Sequence, residues 1–369
     1  MGKALVIAGA GHAHLAVLKH LEELTARGHR VTVVGPGRFH YYSGMGPGML
    51  AGIYRPEEIR FDVAAMARRR GAAFVEDRVV RIDPRKRRIV LAGGAELPYD
   101  IASFNTGSHV PVAPPLQGGG GALVPVKPIE NLRDARERIS ARLAAGADLA
   151  LVVAGGGAAG LEVAANLARL SAGFPGRAAI TLAAARRLMP EAPPGVRRRA
   201  MKSLSRRGVA VREGARVNAF RDRTAELASG DRLACDFLFL AAGVRPGPLF
   251  AASGIPTGGD GGLLVNARLQ SVAHPEIFGG GDCICFGPRP IARVGVYAVR
   301  QNPILRANLA AALDGGRLLE FQPQKDYLLA FNLGDGTAIV CWKGLVFGGR
   351  LGFLLKDYLD RRFMRMFRE

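Results

Sequence analysis

The apolar pattern starts almost at the first residue. Lys3 to Ala8 is a short, nearly unbroken apolar run, Gly9 and Gly11 follow it, and an amphipathic stretch continues to about Ala26. An apolar run bounded by glycine predicts a buried strand, and the periodic stretch after it predicts a helix. Arg30 to Val34 is a second apolar strand at the spacing of a strand–helix–strand unit. The order then returns. Val152 to Ala154 is apolar, Gly155, Gly157 and Gly160 follow, Leu161 to Ser171 is helical in pattern, and Ala178 to Ala183 is a strand. Each copy runs on to an apolar strand ending in a turn of small residues, Asn105-Thr106-Gly107 in the first and Ala241-Ala242-Gly243 in the second.

The segments between follow from the same pattern. Ala72 to Val80 and Arg88 to Leu91 are strands, with Asp83-Pro84-Arg85-Lys86 as the turn. Pro111 to Pro128 is rich in Pro and Gly and predicts a linker; Ile129 to Ala145 predicts a helix with Arg133 and Glu137 on its solvated face. Arg197 to Arg207 is a basic helix, and Arg293 to Asn302 leads into a helix reaching about Leu313. Near the end, Leu351, Leu355, Leu359, Phe363 and Phe367 recur at four-residue steps, with Lys356, Arg361, Arg362, Arg365 and Arg368 around them. That is a basic amphipathic helix. It lies on an anionic bilayer, or docks on its own protein or on a second copy; the basic residues favour the bilayer.

Composition narrows the class. With 369 residues, 49% of them hydrophobic and 22% charged, the chain is globular and has room for two or three domains. Lys and Arg number 51 against 31 Asp and Glu, a net charge of +20. Such a balance points to nucleic acid, a membrane surface or an acidic ligand. No zinc-finger spacing or basic-aromatic RNA signature accompanies it, so no nucleic acid partner is expected. Cys235, Cys283, Cys285 and Cys341 lack the spacing of a dithiol or a zinc site, so inert thiols, no metal and a cytoplasmic setting are expected. With the first strand beginning almost at Met1 no signal peptide is expected, and with no run of 18 apolar residues no membrane span is expected.

The glycine turns carry the chemistry. Gly9 permits a tight turn, Gly11 leaves room for a pyrophosphate, and the N–H groups opening the next helix face that anion. His14 stands where a third glycine is common; the second copy keeps all three. An acidic residue often ends the second strand and binds ribose hydroxyls. Gly35 and Pro36 stand there instead, leaving backbone or Arg38. In the second copy Ala184-Ala185-Arg186-Arg187 follows, and arginines can hold a 2′-phosphate, which favours NADPH over NADH unless both are merely solvated. Phe39 to Met49, with Tyr42 and Ser43, either packs under a planar ring or covers the core.

As a set, the two glycine turns, Glu162 behind the second, Ala241 to Pro246, and Gly281-Asp282 resemble the two-dinucleotide-binding-domain flavoproteins. These include type II NADH dehydrogenases, sulfide:quinone oxidoreductases and pyridine nucleotide-disulfide oxidoreductases. Gly11-His12-Ala13-His14, Tyr42-Ser43-Gly44-Met45, Tyr297 to Gln301 and Asp360 to Met364 resemble most the flavoprotein module sometimes fused to selenide, water dikinase.

The resemblance implies an α/β fold of two Rossmann-like dinucleotide-binding domains plus a C-terminal amphipathic helical segment. Residues 1–112 and 244–322 would form the FAD domain, 113–243 the inserted NAD(P) domain, and 323–369 a membrane- or dimer-interaction segment. FAD would be held by Gly9, Ala10, Gly11, His12, Ala13, His14, Arg38, Tyr42, Ser43, Val79, Asn105, Thr106, Gly107, Gly281, Asp282 and Ala298. NAD(P)H would be held by Gly155, Gly157 and Gly160. Tyr297 and Gln301, at a helix start, would face the flavin pyrimidine edge, and Glu162 would help deliver a proton. Electrons would pass to a quinone at the inner face of the cell membrane. The alternatives are a reductase of sulfur or selenium compounds, and a non-catalytic flavoprotein partner of a selenium-handling enzyme. The cysteine pair of the disulfide reductases is missing.

Overall fold

The computed structural model describes residues 2–112, 116 and 121–368. In chain order the elements that place the site are β1 (Ala4–Ala8), β2 (Arg30–Gly35), β3 (Ala73–Glu76) and β4 (Ile101–Phe104). Then come β5 (Ala122–Pro125), α1 (Glu130–Ala144), β6 (Leu149–Ala154), α2 (Ala158–Ser171), β7 (Ala178–Ala184), α3 (Pro194–Arg206), β8 (Ala210–Glu213) and β9 (Phe237–Leu240). The chain closes with β10 (Ile277–Gly279), α4 (Gly295–Asp314), β11 (Leu329–Asn332), β12 (Ala338–Trp342), β13 (Leu345–Gly349) and α5 (Arg350–Phe367).

Two parallel sheets have the same plan. The first runs β10-β4-β1-β2-β3 and the second β5-β9-β6-β7-β8. The opening strand of each unit is central, flanked by its second strand and by the strand that ends in a small-residue turn. Both are buried on two faces, which is why β1 and β6 read as continuous apolar runs rather than alternating ones. Each unit also carries a three-stranded antiparallel sheet, over 79–98 in the first and 217–234 in the second. The chain leaves the first sheet after β4, builds the second, and returns through β10. This is a mixed α/β fold of two Rossmann-type units with a C-terminal helix.

Four sequence expectations change. The first helix is broken into a 3-10 turn at His12–His14 and helical pieces at Leu15–Lys19 and Glu22–Thr25. Arg70 Nε donates to Lys19 O at 2.8 Å and takes the acceptor that a continuous helix would use. The stretch 72–80 is two strands, because β3 joins the parallel sheet while Val79–Asp83 turns into the antiparallel one. Part of the supposed linker is β5, which pairs in parallel with β9 and buries Ala122 and Val124; residues 113–115 and 117–120 lie outside the described residues. Finally, the C-terminal stripe is divided. Gly352, Lys356, Asp360, Phe363, Met364 and Phe367 are buried against the protein, while Leu351, Leu354, Tyr358, Leu359 and Met366 are exposed.

Candidate functional site

The first glycine turn is pinned at the crossing of three segments. Gly9 has φ +82, and a Cβ there would collide with the Asn105 carbonyl at the end of β4. A Cβ at Gly11 would lie 2.6 Å from Asn105 Oδ1, and one at Gly281 would lie 2.6 Å from the same atom. The Asn105 side chain is therefore wedged between the two turns. Gly281 donates its N–H to Gln301 Oε1 at 2.6 Å. Ala13 and Ala298 flank the crossing, against Gly280 and Gly281. Asn105 Nδ2, Gln301 Nε2 and His12 Nε2 are buried here without a partner among the described residues. Buried polar atoms are nearly always hydrogen-bonded. A polar group at the crossing would complete them, so these residues fit a dinucleotide such as FAD.

His14 takes a different part. Its Nδ1 lies 2.6 Å from the Gly9 carbonyl and its Nε2 2.8 Å from Ser103 Oγ. A carbonyl only accepts, so Nδ1 carries the proton and the Ser103 hydroxyl donates to Nε2. Burial pushes its pKa down to about 4, and the ring is neutral. His14 is a brace of the turn from inside the core. Gln301 is not at a helix start either: α4 begins at Gly295, and Gln301 is wholly buried in its second turn. Tyr297 points its hydroxyl at the Gln324 carbonyl, 3.3 Å away, and stands edge-on to Tyr327. Gln301 braces the crossing through the Gly281 N–H, and Tyr297 ties α4 to the segment of Gln324 and Tyr327. Arg38, expected near a ribose, is exposed and paired with Asp62 at 2.6 Å. Val79 lies in the antiparallel sheet opposite Leu91, Ser43 in a 3-10 turn with Met45, and Thr106 and Gly107 in the loop after β4.

Asp282 follows Gly281 and is held by two donors. Ser108 Oγ and Lys127 Nζ each lie 2.7 Å from its Oδ2. Burial alone would raise this carboxyl's pKa; Lys127 and Ser108 outweigh it and hold it below the usual range. Lys127 escaped sequence reasoning because it sits in the supposed linker; its one signal was a lone cation between Val126 and Pro128.

A second cluster lies beside the first. The His12 ring stacks on Phe363 with centroids 5.7 Å apart and meets Tyr42 and His40 at 5.2 Å each. Burial holds His12 at about 4 and His40 at about 3, both neutral. Tyr42 donates to Asp360 Oδ1 at 3.0 Å, and Lys356 Nζ donates to Asp360 Oδ2 at 2.6 Å and to Gly44 O at 2.8 Å. Glu162, on α2, accepts the Asn332 N–H at 2.7 Å. Burial raises its pKa to about 7 against the opposing pull of nearby Lys356. Tyr42 of the first unit, Glu162 of the second and the inner face of α5 thus converge. Lys356 and Asp360 were also missed as site residues, since charges on an amphipathic helix read as solvated.

The second glycine turn is open. A Cβ at Gly160 would collide with the Gly155 carbonyl, whereas one at Gly157 meets nothing within 4 Å. Gly157 caps α2 without any side chain, and Ala158 and Ala159 are exposed. The N–H groups opening α2 therefore face outward, ready for an anion. Arg186 forms an exposed pair with Glu191 at 3.2 Å, and Arg187 donates to the Pro190 carbonyl at 3.4 Å, with its charge also felt by Glu213. Cys283 is buried with Sγ toward the Phe104 and Gly280 carbonyls. Among the described residues no helix is long and apolar enough to cross a membrane.

Paired glycine turns on paired parallel sheets define a fold of two Rossmann-type dinucleotide-binding units. The family model for pyridine nucleotide-disulphide oxidoreductases matches residues 3–303, and the chain belongs to this family of FAD- and NAD(P)H-using oxidoreductases. It is 28% identical over 285 residues to ferroptosis suppressor protein 1 of Taeniopygia guttata, covering 73% of this chain and 72% of that protein. It is 22% identical over an alignment of 390 positions to a type II NADH:quinone oxidoreductase of Staphylococcus haemolyticus, covering 98% of this chain and 94% of that protein. Among solved structures, the sulfide:quinone oxidoreductase of Aquifex aeolicus matches with a TM-score of 0.79 at 14% identity, over 100% of this chain and 92% of that one. These matches support the wider flavoprotein family and not the module beside selenide, water dikinase.

Proposed function

We propose that the protein is an FAD-dependent NAD(P)H:quinone oxidoreductase working at a membrane surface. The observation that carries this reading is the apolar surface outside the Glu162 cluster. Trp342 pairs opposite Leu345 and Val340 opposite Phe347, so these side chains share one face of the hairpin. Gly352 packs onto Val340, and Leu351, Leu354 and Tyr358 continue the exposed surface along α5. The opposite face of the same helix carries Lys356 and Asp360. One helix thus spans from an apolar exterior to the buried cluster, which suits an apolar acceptor.

The reaction sets the proton demand. NAD(P)H plus a proton and a quinone give NAD(P)⁺ and a quinol; the hydride brings two electrons and one proton, and the second proton comes from solvent. Bound FAD would supply the two-electron relay between donor and acceptor. The Gly155–Gly160 turn and the start of α2 would bind the donor's pyrophosphate. Glu162, four residues on from the open end of α2 and poised near neutrality, would hold the solvent proton. Arg187, the less engaged of the two arginines, favours NADPH. The working place is the inner face of the cell membrane, reached through the apolar surface; a homodimer is the other occupant that surface would accept. The buried Cys283 thiol, its pKa raised by burial, weighs against a sulfide- or selenide-type reaction.

The test is the flavin absorbance of the purified protein under anaerobic conditions. Addition of NADPH or NADH bleaches it, and a short-chain quinone restores it. Bleaching without recovery removes the quinone. A yellow protein that stays oxidised with both nucleotides removes the reductase and leaves a non-catalytic flavoprotein.

A further inference from the structure

We propose that Lys127 is a positioning residue of the first dinucleotide site: its ammonium, delivered from the second unit, neutralises the Asp282 carboxylate so that an anionic pyrophosphate can be held at the Gly11–Gly281 crossing. The inference rests on the FAD-binding reading of that site and not on the identity of the acceptor.

The geometry is direct. Val126 donates its N–H to Leu240 O at 3.0 Å, which fixes the residue before Lys127 to the edge of the second sheet. From there Lys127 Nζ reaches Asp282 Oδ2 at 2.7 Å and Ser108 Oγ at 3.1 Å. The pair is largely inside the protein, with 28% of the lysine and 14% of the aspartate side chain exposed. The other neighbours do not supply the charge. Arg293 Nε donates to the backbone carbonyl of Asp282 and its Nη2 is taken by Asp260. Ser108 is neutral, and burial keeps His12 neutral. Among the described residues, Lys127 is the cation on this carboxylate.

The need for a cation follows from the site. Asp282 is one residue from Gly281, where an added Cβ would run into the Asn105 side chain with its unpartnered Nδ2. A carboxylate in that place can accept from sugar hydroxyls. Beside a bound pyrophosphate, with its two negative charges, it would repel strongly in this partly buried setting. Neutralisation by Lys127 removes the conflict without giving up the acceptor. It also makes flavin binding depend on a residue of the other unit.

The experiment compares full-length Lys127→Met, Lys127→Arg and the double variant Lys127→Met/Asp282→Asn. Flavin is removed, FAD rebinding is followed by fluorescence quenching, and circular dichroism of each apoprotein checks its fold. Lys127→Met is expected to weaken FAD binding about tenfold or more, and the double variant to recover most of that loss. Lys127→Arg keeps the charge and binds nearly as the parent does. FAD affinity within about twofold of the parent in Lys127→Met overturns the proposal. So does a double variant no better than Lys127→Met, which would mark a packing role. Should Lys127→Met not fold, Lys127→Gln with and without Asp282→Asn makes the same comparison.

Discussion

Lys356 and Asp360 face each other at 2.6 Å on one side of α5, with 8% and 9% of their side chains exposed. Tyr42 and the Gly44 carbonyl close the pair from the first unit. Removing one partner of such a buried pair leaves an uncompensated charge, which costs about 3–5 kcal/mol. Lys356→Met should therefore lower the unfolding free energy by that order in denaturant titrations. Lys356→Met/Asp360→Leu should be milder than Lys356→Met, because neither charge is then stranded.

Glu162 gives a pH signature. Its folded pKa, about 7, is raised above the ordinary carboxylate range by burial. The native state thus holds the proton more tightly than the unfolded state does. The stability linked to this group is complete at low pH. It falls as pH rises from the ordinary glutamate range to about 7 and is level beyond. The protonated native carboxyl is itself lost only as pH passes through about 7, so turnover with a quinone should drop above that pH. Glu162→Gln should flatten both profiles and slow turnover by about 100-fold or more. A pH profile of turnover unchanged in Glu162→Gln would remove the carboxyl from the proton path.

Much of the frame was legible before any coordinates, and for a physical reason. β1, β4, β6 and β9 are short apolar runs closed by small residues, and parallel strands buried on both faces allow little else. The turns at Gly9 and Gly155 announce themselves because only glycine tolerates the close approach of Asn105 and Ala241. What was hidden depends on partners distant in sequence. The break after Lys19 is made by Arg70. His14 becomes a brace because Ser103, on the neighbouring strand, meets its far nitrogen. Lys127 lay unnoticed in a supposed linker and Lys356 on a basic helix face, and only the third dimension gives them Asp282 and Asp360.

Gly157 and Gly160 should separate binding from folding. A Cβ at Gly160 would run into the Gly155 carbonyl oxygen, so Gly160→Ala must push the helix off the turn. Overpacking of this kind costs about 1–3 kcal/mol, and thermal unfolding should show it. Gly157 faces open space at the start of α2. Gly157→Ala should melt like the parent while its added methyl obstructs the nucleotide, raising the KM for NAD(P)H with flavin still bound. Equal effects of the two substitutions on melting would contradict the open second site.

Deleting α5 would not test membrane contact cleanly. Phe363 and Phe367 pack on each other and on Phe61, and Phe363 also on His12 and Tyr42, so truncation would open the core. The exposed face is the better target. Leu345, Leu351 and Leu354 are 66%, 77% and 60% exposed, so Leu345→Glu, Leu351→Glu and Leu354→Glu should each alter stability by no more than about 0.5 kcal/mol. Inserted in a bilayer, each leucine could contribute roughly 1.5–3 kcal/mol if fully buried, and the basic residues of α5 add attraction to anionic lipid. Combined, the three substitutions should abolish co-sedimentation with phosphatidylserine-containing vesicles while flavin reduction by NAD(P)H in solution is unchanged. If vesicle binding persists and a dimer instead becomes a monomer in size-exclusion chromatography, the apolar face belongs to a second copy of the chain.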